Sequence, residues 1–145
     1  ESGNAELSYR ILGNSHEDAV TAFETYQKTC YRFIVGKSFS EEQAEKMVSK
    51  RAIGNHFQNI DRAKKLYENL PIDPFSVLTS DELKFLKFII EKRHVIGHNL
   101  SIADEAYSDA EKREKPGTAV EIIADEISDF AKTAKKVILE LEHLL

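Results

Sequence analysis

The stretch SDELKFLKFIIEKRHVIGHN, Ser80–Asn99, decides the fold. Thr79 and Glu82 form a capping box at its start, a hydroxyl for an orphan backbone N–H with a glutamate three residues on. Leu83, Phe85, Leu86, Phe88, Ile89 and Ile90 then lie almost all round a helical wheel. A helix apolar on nearly every side belongs in the middle of a domain, so residues 80–97 are expected to be the central, most buried helix. Gly97 is a poor helix former and a good terminator, and the last turn is expected to loosen there.

The same signals repeat on either side. Upstream, Ser40–Gln43 is a second capping box, opening a helical segment to about Asn69 with a break near Gly54-Asn55. Ile53, Phe57, Ile60, Tyr67 and Leu70 share one stripe of that segment, and Pro71 and Pro74 forbid its continuation. Further upstream, Ser15 and Asp18 suggest a helix start. Ala19, Phe23, Tyr26, Cys30 and Phe33 recur at helical spacing, and Gly36 is a candidate stop. Residues 1–14 lack a helical period and end in a Gly13-Asn14 turn signal, which reads as an arm or linker remnant.

Downstream, residues 100–117 are a polar connection closing on Lys115-Pro116-Gly117. Thr118–Glu121 is a fourth capping box. Val120, Ile123, Ile127, Phe130, Ala134, Val137 and Leu141 then run to the C-terminus at three-four spacing, most simply as intramolecular core. Period-2 alternation is nearly absent. The expectation is an all-α domain over residues 15–145, an antiparallel up-down bundle of four to five helices.

Composition bounds the partners. The 145 residues fit one domain, with 41% hydrophobic and 31% charged residues. A net charge of -5 argues against a surface that coats nucleic acid as a whole, while leaving room for one local basic site. Cys30 is the only cysteine, so neither an intrachain disulfide nor a cysteine-based zinc site is available. With no signal peptide visible and no apolar run near the roughly 20 residues a membrane span needs, a cytoplasmic location is expected. The sequence opens on Glu1 rather than methionine, as a trimmed chain or a domain cut from a larger protein would.

The chemistry gathers at Arg93-His94-Val95-Ile96-Gly97-His98-Asn99. A histidine suits proton transfer at neutral pH, and a guanidinium fork matches phosphate oxygens in charge and shape. An RNA phosphodiester carries its own nucleophile, the 2′-OH, so base, acid and positive charge suffice without a metal. In a regular helix Arg93 and His98 stand about 140° apart and do not share a face, whereas His94 and His98 do. A symmetric pair of chains would bring two arginines and two histidines to one cleft.

Arg93 and His98 form an R-x4-H pattern with a histidine directly after the arginine, and Asp104 and Tyr107 follow in a tail. By these residues, the region from about Phe57 to Tyr107 resembles the HEPN superfamily. Ser101 stands where many relatives have glycine. The resemblance implies a dimerising HEPN bundle and a metal-independent endoribonuclease of a defence, toxin or stress system. Arg93 and His98 would be catalytic, with His94 assisting and Asn99, Asp104 and Tyr107 supporting. It implies RNA as substrate, no cofactor, and an antitoxin or flanking domains as further partners. A non-catalytic HEPN dimerisation or RNA-binding module is the alternative.

Plainer readings stand beside this one. Arg93 would also suit a helix C-terminus as a cation favourable to the dipole, and His98 a capping role. His94 and His98 at i, i+4 with Asp104 could hold zinc, but Val95 occupies the place where a metalloprotease helix needs its general-base glutamate. Lys84, Lys87 and Lys92 read either as an RNA-facing strip or as the solvated side of the helix.

Overall fold

The computed structural model describes residues 2–98 and 124–145, and these residues form six α-helices, two short 3-10 turns and no strand. The helices are α1 (Ser2–Ser38), α2 (Glu41–Met47), α3 (Lys50–Ile53), α4 (Ile60–Tyr67), α5 (Ser80–His98) and α6 (Ala124–Glu142). The domain is all-α as expected. Three long helices, α1, α5 and α6, pack on one another; α2 and the first 3-10 turn lie against α1, and the second 3-10 turn lies against α6. The helical segment expected from Ser40 to about Asn69 breaks at Gly54-Asn55 as expected, and it is divided further into short pieces.

Local chemistry explains those pieces. Ser40 and Gln43 make the expected capping box at α2. A second break falls at Ser49, whose Oγ accepts from the Ala52 amide at 3.2 Å and so starts a new helix. Gly54 then adopts φ 43°, which a side chain would resist, and ends α3. Asn59 caps α4 through the Arg62 amide. Pro74 opens the second 3-10 turn, with Asp73 accepting from the Phe75 amide at 2.9 Å. Thr79 Oγ1 accepts from the Glu82 amide at 3.1 Å, as its capping role requires.

The N-terminal expectation needs correction. Residues 2–14 are helical, and α1 continues through Gly13-Asn14 to Ser38. One glycine costs a helix interior only about 1 kcal/mol, which a helix extended on both sides absorbs. Ser15 is therefore not a cap; its Oγ donates to the Ile11 carbonyl within the helix. Gly36 does not stop α1 either.

The buried stripe of α1 is also displaced from the expected one. Phe23 and Cys30 are buried, but Tyr26 and Phe33 face solvent, Phe33 at 57% exposure. The inward face runs His16, Val20, Phe23, Glu24, Gln27, Tyr31, Ile34. It carries three polar residues, so an apolar count selects the neighbouring stripe. Partners from the chain after α1 meet its polar groups: the buried Tyr67 hydroxyl donates to Gln27 Oε1 at 3.0 Å, and the exposed Asn69 donates through Nδ2 to the Tyr31 hydroxyl at 3.3 Å.

Of the expected stripe on α6, Phe130, Ala134, Val137 and Leu141 are buried and Ile127 is half-buried. Phe23 meets Phe130 edge-on at 5.7 Å, Tyr26 donates to Glu142 at 2.7 Å, and Lys37 reaches the Leu145 carbonyl at 2.9 Å. Residue numbers rise together along both helices, so α1 and α6 run in the same general direction. The Tyr26–Glu142 bond pushes the phenol up to about 12. Lys92–Glu126 and Glu82–Lys136 pairs descend instead, so α5 and α6 are antiparallel. Tyr31, Phe57, Tyr67 and Phe75 form an edge-to-face aromatic row beneath the short helices. No described helix is long and apolar enough to cross a membrane.

Truncation should separate the real stripe of α1 and α6 from the apparent one. Phe130→Ala is expected to cost about 3–5 kcal/mol in urea unfolding, and the exposed Phe33→Ala under about 1 kcal/mol. Equal losses would show the face of α1 to be misassigned.

Candidate active site

The R-x4-H motif occupies the last turns of α5. Lys92 and Arg93 are neighbours in sequence, so their side chains leave the helix about 100° apart. Each meets an acid from a different helix. Lys92 Nζ lies 2.9 Å from Glu126 Oε2 of α6 and 5.3 Å from the centre of the Phe88 ring. Arg93 Nη1 donates to Glu24 Oε2 of α1 at 3.0 Å, with both side chains only 12% exposed.

The expected basic strip is therefore not continuous. Lys84 is exposed, and Lys87 pairs with Asp61 at 2.8 Å. Lys92 is 1% exposed and faces the core. Five positions along a helix turn it about 140° away from Lys87, which is enough to carry it from the outer face to the inner one. Lys92 does not join the other two on a surface open to RNA.

Two more motif residues sit on α5. His94 is half-buried next to Arg93. His98 is the final residue of the helix, which runs through Gly97 without stopping. Its side chain lies outside what is described, as do Asn99, Asp104 and Tyr107 altogether. Among the described residues no group of three or more His, Cys, Asp or Glu could hold a metal. The zinc alternative depends on His98 and Asp104 and falls outside that search.

One histidine beside the motif carries no sequence signal of its own. His16, on α1, is 2% exposed, and its Nε2 lies 2.9 Å from the Ile89 carbonyl of α5. A carbonyl only accepts, so the bond places the imidazole proton on Nε2. Burial is the main cause that lowers the His16 pKa. Lys92 and Arg93 push it the same way, while the Ile89 bond and Glu126 oppose them. Glu24 and Gln27 were equally hidden. All three continue the Val20-Phe23-Tyr31 register of α1, the one signal that could have found them.

Chemically, the end of α5 offers a guanidinium held by a carboxylate, with an imidazole beside it and a second histidine five positions on. Such a pair is costly to break from one side, because the survivor is a charge shielded from water. On the other side of α5 a cleft of about 260 Å³ is lined by Asn59, Asp61, Lys87 and Glu91. No family model, curated protein or solved structure matches the chain.

The buried His16 gives the fold a pH dependence of known sign. Its folded pKa lies below the unfolded one, so the unfolded chain takes up the proton first. This contribution is complete above the ordinary imidazole range near 6.5 and is lost as pH falls through it. Thermal unfolding between pH 7.5 and 5 should show a smaller acid loss for His16→Gln than for the parent (about neutral to mildly acidic conditions). Parallel curves would exclude the buried neutral imidazole.

Proposed function

We propose that this domain is a HEPN-type, metal-independent endoribonuclease that works as a symmetric pair in the cytoplasm, in a defence, toxin or stress system. The observation that carries the reading is the position of Arg93-x4-His98: it occupies the last turns of the buried central helix, with the guanidinium, 12% exposed, held by Glu24. A helix anchored in the core is a rigid base for a phosphate-binding group.

In the reaction, His98 takes the proton of the 2′-OH as its oxygen forms a bond to the adjacent phosphorus. The P–O5′ bond breaks, and the 5′ oxygen receives a proton from an imidazolium. Arg93 neutralises the charge that builds on the phosphoryl oxygens. The products are a 2′,3′-cyclic phosphate and a 5′-OH. His94 assists, and Asn99, Asp104 and Tyr107 support the site. Five helical positions separate Arg93 from His98 by about 140°, so a second copy facing the first completes the cleft. RNA, a second copy, and an antitoxin or flanking domains are the proposed partners.

The Arg93–Glu24 pair also favours a second reading, a non-catalytic HEPN module that dimerises or binds RNA. There the guanidinium serves the fold, and Glu24 neutralises it.

Incubation with mixed cellular RNA in EDTA tests both readings. The parent should produce cyclic-phosphate ends, and His98→Ala should lose activity about 100-fold or more. Full activity in His98→Ala would overturn the mechanism. RNA affinity without cleavage from pH 5 to 8 (about the span over which histidine titrates) would establish the non-catalytic module.

A further inference from the structure

The geometry points to Glu24 as the positioning residue of Arg93, holding the guanidinium from α1 so that its remaining N–H groups meet the RNA phosphate. This inference rests on the ribonuclease reading and adds a residue to it. An arginine side chain has four rotatable bonds, and binding a phosphate in one geometry requires that freedom to be lost in advance. Glu24 supplies the constraint through a charge-assisted hydrogen bond of 3.0 Å at a site where water has little access. It engages one Nη1 position, and a guanidinium carries five N–H donors, so donors remain for a substrate.

The helix α1 also fixes the backbone beneath. In a regular helix the Arg93 amide donates to the Ile89 carbonyl, four residues before it. His16 Nε2 addresses that same carbonyl from α1 at 2.9 Å. One face of α1 therefore holds both ends of Arg93, the main chain through His16 and the side chain through Glu24. Lys92, the other buried cation, is tied to α6 instead. The two pairs differ in kind: Lys92 is enclosed, whereas Arg93 keeps partial exposure at the mouth of the helix end.

Chemical rescue tests the assignment on the full chain. Arg93→Ala should lose RNA cleavage, and free guanidinium, far below denaturing concentrations, should restore it about 10-fold or more by binding against Glu24. Arg93→Ala/Glu24→Ala should show no such rescue. This double variant removes both charges, which avoids a buried unpaired one. Equal rescue in both backgrounds would overturn the assignment. Glu24→Gln keeps the volume and removes the charge, and it should lower kcat about 10-fold with KM within about 3-fold. Unchanged kcat in Glu24→Gln overturns the assignment whatever the rescue shows. A parent chain that does not cleave at all would defeat the ribonuclease reading itself, and this inference with it.

Discussion

Two adjacent cations in the central helix need two acids, and the packing of the long helices depends on meeting that need. Lys92 and Arg93 diverge from α5 by about 100°. No single neighbour can neutralise both, so α6 contributes Glu126 and α1 contributes Glu24. The pairs add little net stability against an apolar alternative, because desolvation offsets much of the attraction. Their effect is on arrangement. A slip of either flanking helix would strand a charge out of water, and that cost selects one register among those that the apolar surfaces would allow.

The register also orders the end of α5. It brings Arg93 to the end of α5 in a fixed orientation, half-buried His94 beside it, and His98 at the helix terminus. The motif that suggests phosphate chemistry is thus continuous with the ionic network that orders the core. Structural and catalytic readings of Arg93 are not exclusive. A guanidinium serves both when one donor is bound to a carboxylate and others remain for a ligand.

Much of the fold is legible in the residues. The capping hydroxyls of Ser40 and Thr79 mark helix starts correctly, and Phe130, Ala134, Val137 and Leu141 identify the inner face of α6. What escapes has a common cause. Pattern reading assumes that the buried stripe is the apolar one, and α1 violates this by burying His16, Glu24 and Gln27. The partners that make those polar residues tolerable come from α4 and α5, far away in sequence. The same blindness placed Lys92 on an exposed strip, since a lysine is almost never fully buried unless paired. The break at Ser49 and the helical passage through Gly13 depend on small local balances that no periodicity reports. At the site, the R-x4-H spacing with its flanking residues singles out Arg93 and His98 in the sequence, but nothing there marks the carboxylate that holds Arg93.

If Arg93 and His98 act on one phosphate in a cleft shared by two copies, two chains that are each inactive should complement one another. Arg93→Ala and His98→Ala, each silent alone, should regain RNA cleavage when combined and allowed to exchange subunits, because the mixed pair restores one arginine and one histidine to the same cleft. A mixture as inactive as its components would contradict the shared site.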